Sequence, residues 1–266
     1  MDISKVKRGK PSKDAQTIAI INQKGGVGKS TTAINLSAAL GEAKMKVLVV
    51  DFDPQGNTTS GYGIDKESLE YDIYDALLHE YPMEDLIQKT PEPNVFVIPA
   101  TIQLAGAEIE LVSSMAREGI LKGIIARVKD EFDYVFIDCP PSLGLLTINA
   151  LVAADSLLIP IQCEYYALEG VTKLLESMKM VKSRLNPGLE VFGVLMTMYD
   201  SRTTLSNDVV SEVKKYFGNQ MFKTVIPRSV KLSEAPSHGL PITMYAHMNK
   251  GATAYTKLAK EVIRRG

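Results

Sequence analysis

Two lysines bracket a glycine-rich stretch, Lys24-Gly25-Gly26-Val27-Gly28-Lys29-Ser30-Thr31, and these are the residues of the chain best suited to chemistry. Glycines let backbone N–H groups close around a polyphosphate, and a helix starting at the end of the stretch adds the positive end of its dipole. Lys29 then reaches β- and γ-phosphates, and the Ser30 hydroxyl can bind Mg²⁺. A nucleotide is the predicted ligand, with Gly25, Gly26, Val27, Gly28, Lys29, Ser30 and Thr31 as its cradle. The strict GxxxxGK[ST] spelling fails at Gln23, where its first glycine should stand, and Lys24 sits inside the loop as an additional cation.

Carboxylates come from two other places. The apolar run Met45–Val50 delivers Asp51-Phe52-Asp53-Pro54-Gln55-Gly56-Asn57, and the period of two puts Asp51 and Asp53 on the same side of the strand end. The run Tyr134–Ile137 ends in Asp138, followed by Cys139-Pro140-Pro141-Ser142, which reads as the Mg²⁺-holding aspartate of a phosphate-binding enzyme, acting directly or through water. Any strand can end in Asp, so this second signal draws its weight from the loop at 24–31. A structural alternative stands beside each reading: Lys24 as a solvated loop cation, and Asp51 and Asp53 as caps of the turn before Pro54.

Such groups need a scaffold that brings strand ends together. Apolar runs near 17–22, 46–51, 94–98, 133–138, 156–161, 190–196 and 221–226 read as strands. Helical patterns fall near 30–43, 101–117, 119–130, 144–153, 165–184, 203–217 and 252–265. Repeated alternation of strand and helix predicts an α/β fold: a doubly wound, mainly parallel sheet with helices on both faces, of the P-loop NTPase kind. Ligands of such sheets bind beyond the carboxyl ends of the strands, where the loop and the aspartates fall. Residues 1–16 are basic and lack apolar periodicity, so they are expected to be a disordered tail ahead of one α/β domain over 17–266.

Composition narrows the classes. Hydrophobic residues make up 45% and charged residues 23% of 266, ordinary for a globular protein, and no apolar run approaches the ~18 residues of a membrane span. No secretory signal is visible. Cys139 and Cys163 lie in apolar strand-like surroundings without CxxC spacing, which argues against disulfides and zinc and for a reducing cytosol. His79, His238 and His247 show no metal-ligand spacing. The net charge of −1 conceals segregation: residues 200–266 hold 11 Lys/Arg and 5 Asp/Glu, and residues 1–16 hold 5 and 2. A basic end on an otherwise acidic chain can serve as a footprint for DNA or an anionic membrane, or be a solvated surface.

The spelling KGGVGKS, the DFDPQGN motif and the Asp138-Cys139-Pro140-Pro141 turn together resemble the ParA/MinD superfamily of ATPases with a deviant phosphate loop. The stretches Met198–Thr203 and Ile226–Gly239 resemble its chromosome-partitioning branch, ParA/Soj, more than MinD. The resemblance spans about 17–266. It implies ATP and Mg²⁺ as cofactors, with Lys24 crossing a dimer interface to the partner's nucleotide, as an arginine finger does. It also implies that Asp53 orients the attacking water, that Asp51 lies near the Mg²⁺ shell with Ser30 and Asp138, and that Pro236 lies near the adenine. Arg202, Arg228 and Lys231 become candidate contacts to DNA phosphates. Relatives often carry Arg at the place of Lys231, so charge is kept there and the bidentate fork lost.

The implied cycle is an ATP-dependent homodimer on nonspecific double-stranded DNA, released by hydrolysis that a ParB-like partner stimulates. The implied location is cytoplasmic and nucleoid-associated, with no membrane expected. The helix-turn-helix domain of larger plasmid relatives is not seen ahead of the loop, so transcriptional autoregulation is not implied.

Three other classes compete. A MinD-like membrane-positioning ATPase needs an amphipathic C-terminal segment, and Tyr255, Leu258, Ala259, Val262 and Ile263 form a helical stripe. With the chain ending right after it, that stripe is expected to pack on the domain. An iron–sulfur reductase needs cysteines placed to bridge a dimer, and Cys139 and Cys163 lack a suitable motif. A bacterial tyrosine kinase needs a terminal tyrosine cluster, which is absent from the sequence.

Overall fold

A computed structural model describes residues 15–165 and 169–266, so the expected basic tail lies outside the described residues except for Ala15 and Gln16. Seven strands form one sheet: β1 Gln16–Ile20, β2 Val47–Asp51, β3 Gln88–Lys89, β4 Val95–Ile98, β5 Tyr134–Asp138, β6 Ser156–Gln162 and β7 Glu190–Thr197. Their order is β3-β4-β2-β5-β1-β6-β7. Every pairing is parallel except β3 with β4.

The helices are α1 Lys29–Glu42, α2 Asn57–Gly61, α3 Ile73–Leu78, α4 Leu104–Glu110, α5 Ile120–Ile125, α6 Leu145–Ala153, α7 Glu169–Arg184, α8 Thr204–Phe217, α9 Val230–Glu234, α10 Ile242–Tyr245 and α11 Lys250–Arg265. Near-continuous apolar strands such as Val47–Val50 suit a sheet covered on both faces. Alternate residues divide accordingly. Ile18, Ile20, Val49 and Phe136 join a core with residues of α1 and α11, while Ala19, Leu48, Val50 and Ile137 join a second core with residues of α5, α6 and α7.

The C-terminal stripe packs inward as the sequence leads one to expect. Tyr255, Leu258, Ala259 and Val262 are buried, leaving Ile263 at 37% exposure, and the Tyr255 hydroxyl lies 3.2 Å from Thr32 Oγ1 of α1. Full burial of Tyr255 or Leu258 stabilises by about 2 kcal/mol each.

Elsewhere local patterns yield to tertiary contacts. The strand expected at 221–226 is reduced to two isolated bridges, Val194 to Met221 and Tyr199 to Pro227. Phe222 and Ile226 still donate to Val194 and Met196. Between them, however, the amides of Lys223 and Thr224 turn to the Glu261 carboxylate of α11, at 2.9 and 3.1 Å. The helices expected at 101–117 and 119–130 are shorter, as α4 and α5 with 3-10 turns beside them. The two-residue β3 and the short helices α2 and α3 have no counterpart in the sequence reading.

Candidate nucleotide site

The loop after β1 is anchored before it reaches any ligand. Asn22 Nδ2 donates to the Pro160 carbonyl of β6 at 2.7 Å while Asn22 Oδ1 accepts from the Lys24 amide at 3.0 Å. From β7, Thr197 Oγ1 donates to the Val27 carbonyl at 2.8 Å. Gly26 and Gly28 adopt φ of 74° and 90°. A Cβ at Gly28 would meet only Thr197, at 3.8 Å, so glycine is required there by torsion and not by space. Gly28 caps α1 without a side chain, which leaves the first amides of a 14-residue helix facing the loop as an anion site.

Around this loop the structure assembles the groups expected from three distant segments. Lys29 is 6% exposed, with Nζ 3.4 Å from the Lys24 carbonyl. Burial lowers its pKa, opposed by the charges of Asp138 and Asp53. Asp51 and Asp138 face each other in register at the ends of β2 and β5, both fully buried. Burial raises the pKa of each. For Asp138 the neighbouring Ser30 and Thr58 hydroxyls and Lys29 pull the other way. Burial likewise pushes the Cys139 thiol well up, which suits a small core residue and not a ligand or nucleophile.

The two aspartates differ in their partners. Asp138 Oδ2 accepts from Thr58 Oγ1 at 2.8 Å, and Oδ1 is buried without a hydrogen bond. Asp51 has both oxygens engaged: Oδ2 accepts from the Thr59 amide and hydroxyl at 2.8 and 2.7 Å, and Oδ1 accepts from the Asp53 amide at 3.3 Å. Asp53 Oδ1 in turn accepts from the Gln55 amide at 3.0 Å.

A buried carboxylate oxygen lacking a donor, beside a serine hydroxyl, fits a hard divalent cation. Among the described residues no group of three or more His, Cys, Asp or Glu forms a cage. Few protein oxygens suit Mg²⁺, which is held by one or two carboxylates together with phosphates and water.

A cavity of about 440 Å³ is lined by Gly25, Gly26, Gly28 to Thr31, Asp53, Asn57 and Pro236, together with Met198, Leu232 and Ser233. A second, of about 290 Å³, shares Gly28, Thr31, Met198, Leu232 and Ser233 and extends to Pro227, Ser229 and Tyr255. Pro236 is on the wall of the first cavity, and the second cavity was not anticipated. Lys24 points away from its own loop: Nζ pairs with Glu164 Oε2 at 2.7 Å, with the side chains 42% and 48% exposed.

The basic candidates gather at the end of β7. The Tyr199 amide donates to Ile226 and the Arg228 amide donates to Tyr199, which brings the segments around 200 and 228 side by side. Arg202 forms a fork with Asp200, with Nε to Oδ1 at 2.9 Å and Nη2 to Oδ2 at 2.7 Å, and this holds the Asp200 carboxyl well below its usual range. Lys231 pairs with Glu234 at 2.8 Å and stands over the Tyr245 ring. Arg228 is exposed. Sequence reasoning missed the acidic partners Glu164, Asp200 and Glu234. It also missed Thr58 and Thr59, though their position directly behind DFDPQGN was a signal.

Residues 15–191 match an AAA domain family. Among curated proteins, the chain is 57% identical to sporulation initiation inhibitor protein Soj of Bacillus subtilis over 94% of this chain and 98% of that one. It is 52% identical to chromosome-partitioning ATPase Soj of Treponema pallidum, over 94% and 98%. Among solved structures it resembles cobyrinic acid a,c-diamide synthase of Mycobacterium smegmatis with bound ADP and magnesium, at 38% identity, 94% coverage of each chain and a TM-score of 0.83. With the phosphate loop, the paired strand-end aspartates and identity of this extent, the chain belongs to the Soj/ParA family of chromosome-partitioning P-loop ATPases.

Proposed function

We propose that the chain is a DNA-segregation ATPase in which ATP and Mg²⁺ close a nucleotide-sandwich homodimer on nonspecific double-stranded DNA, and that hydrolysis stimulated by a ParB-like partner releases it. It works in the cytoplasm on the nucleoid. The observation that carries this reading is a shared wall. Met198, Leu232 and Ser233 line the nucleotide cavities, and the exposed cations Arg202, Arg228 and Lys231 lie on the same two segments. A ligand that orders that wall orders the cations as well.

Within the site, amides of Gly25 to Thr31 hold the phosphate chain and Lys29 places its charge against the β- and γ-phosphates. Ser30 and the donor-free oxygen of Asp138 hold Mg²⁺, which supplies charge stabilisation for the transferring phosphoryl. Asp51, with both oxygens taken, serves in the outer shell. Asp53, 6% exposed on the cavity wall, orients the attacking water. Lys24 leaves Glu164 and crosses to the partner's phosphates, so hydrolysis is slow without dimerisation. Pro236 and the second cavity receive the base.

The MinD-like alternative loses its main support, because the apolar stripe of α11 is spent against α1. Among the described residues no helix is long and apolar enough to cross a membrane. The diamide synthase resembles the chain at lower identity than the Soj proteins do, 38% against 57%.

The test is duplex retention titrated with salt, in ATP, ADP and no nucleotide. Retention in ATP alone, equal on unrelated sequences, is the expected result. Equal retention without nucleotide would reject the coupling of nucleotide to the basic face.

A further inference from the structure

Directly behind the segment that carries Asp53 stand two consecutive, fully buried threonines, Thr58 and Thr59, on the short helix α2. Neighbouring helical residues point roughly 100° apart, so each reaches a different strand end. Thr58 Oγ1 donates to Asp138 Oδ2 at 2.8 Å. Thr59 donates twice to Asp51 Oδ2, and its hydroxyl accepts from the Ala100 amide at 3.0 Å. The two carboxylates are in register on adjacent strands, yet the helix treats them differently. It places two donors on Asp51 Oδ2, whose Oδ1 is taken by the Asp53 amide, and only one on Asp138 Oδ2, whose Oδ1 is left without a donor.

We infer that Thr58 is a positioning residue for the divalent cation: by taking one Asp138 oxygen it orients the carboxylate so that the other faces the ion, and it ties the Asp53 segment to the cation's arrival. Thr59 has the complementary task of holding Asp51 to the start of α2 and to Ala100, which makes it structural. A carboxylate with a single metal-facing oxygen can rotate about its last torsion, and an outer hydroxyl stops that rotation. Outer-shell partners of this kind set metal affinity by about 10- to 100-fold. Because binding linkage is reciprocal, whatever the Thr58 bond contributes to cation affinity, the cation returns as order in residues 53–58.

The inference rests on the nucleotide reading above, and the experiment separates the two. Binding of a fluorescent ADP to the full chain is followed in EDTA and across a Mg²⁺ titration, with no turnover involved. The wild type must bind nucleotide more tightly as Mg²⁺ is added; no nucleotide binding at all would sink the nucleotide reading itself. In Thr58→Val, affinity in EDTA should stay within about twofold of wild type, while the Mg²⁺ concentration giving half the enhancement rises about tenfold or more. Thr58→Ser, which keeps the hydroxyl, should restore the wild-type midpoint.

Thr59→Val is the matched control. It removes a buried hydroxyl from the same helix and should lower the melting temperature while moving the Mg²⁺ midpoint clearly less than Thr58→Val does, because Asp51 stands only in the outer shell. Should Thr58→Val fail to fold, Thr58→Ala removes the same hydroxyl and is read in the same way. An unchanged Mg²⁺ midpoint in a folded Thr58 variant, or an equal shift in Thr59→Val, overturns the assignment.

Discussion

The two ends of this site are built on opposite electrostatic principles. At the phosphate end, charge is buried and incompletely satisfied. Lys29, Asp51 and Asp138 are nearly or wholly removed from water, and one Asp138 oxygen has no donor. At the basic end, charge is exposed and largely compensated within the chain, with Arg202 clamped by Asp200 and Lys231 by Glu234. A buried, under-satisfied group is costly unless a ligand completes it, so the phosphate end is arranged to be finished by a charged ligand. An exposed ion pair costs little and yields little, so the basic end can exchange carboxylate partners for phosphates at a modest price. The contrast teaches that loss of a phosphate-end residue should be all or none, while loss of a basic-end residue should be graded.

The largest expected effect therefore lies at Lys29. Lys29→Ala removes the buried cation that, among the described residues, lines the cavity, and should abolish nucleotide binding by fluorescence or calorimetry. The fold should persist, because α1 remains held by its packing on α11. Retained ATP affinity in this variant would erase the distinction between the two ends.

Legibility in the sequence divides along the same line. The phosphate end is local: the loop, DFDPQGN and the strand ending at Asp138 each occupy a short run, and a parallel sheet brings strand ends together by construction. Six of the seven expected strands are present for the same reason. The missing strand at 221–226 shows where local pattern fails, since Glu261, nearly forty residues on, captures its amides. The basic end fails in a related way. Arg202 and Lys231 could be counted from sequence as cations. Whether Asp200 and Glu234 fold back onto them depends on side-chain geometry that composition does not encode. Glu164 reaching Lys24 across 140 residues is legible nowhere in the chain. Thr58 and Thr59 were legible in position and silent in role, because a threonine after a turn is common and its partner is chosen by the register of β2 against β5.

Gly25 offers an intermediate test, because it sits at the phosphate end and, in the proposed dimer, would face a partner. In this chain a Cβ at Gly25 meets nothing within 4 Å, and the residue does not use a left-handed φ. Gly25→Val should therefore fold and keep much of its nucleotide affinity. It should still fail to form the proposed ATP-dependent dimer by light scattering, because the added side chain would occupy the space that the proposed sandwich gives to a second backbone and Lys24. A monomer with bound nucleotide and no DNA retention is the expected outcome. A normal ATP dimer would remove the sandwich arrangement and the crossing of Lys24 with it.

The smallest effects belong to the basic end, and their ordering is the sharpest check on the comparison. Arg228 has no carboxylate partner among the described residues, whereas Arg202 and Lys231 do. Neutralising Arg228 should remove one full phosphate contact per subunit, lowering the log–log salt slope of DNA binding by about 0.9 per site and about twice that per dimer. Arg202→Ala and Lys231→Ala should lower the slope less, because each cation is already shared with a carboxylate and contributes less than one full phosphate contact. All three losses should be equal on unrelated duplexes, since phosphates carry no sequence. The sign reverses at the partners. Asp200→Asn releases Arg202 without removing it, and should tighten ATP-dependent DNA retention roughly two- to fivefold at moderate salt, the scale of an exposed pair. The gain should fade as salt rises, because screening over about 10 Å weakens the released charge as it weakened the pair. If Asp200→Asn bound DNA more weakly than wild type, Asp200 would be holding Arg202 in its DNA-facing position, and compensation would be preorganisation instead.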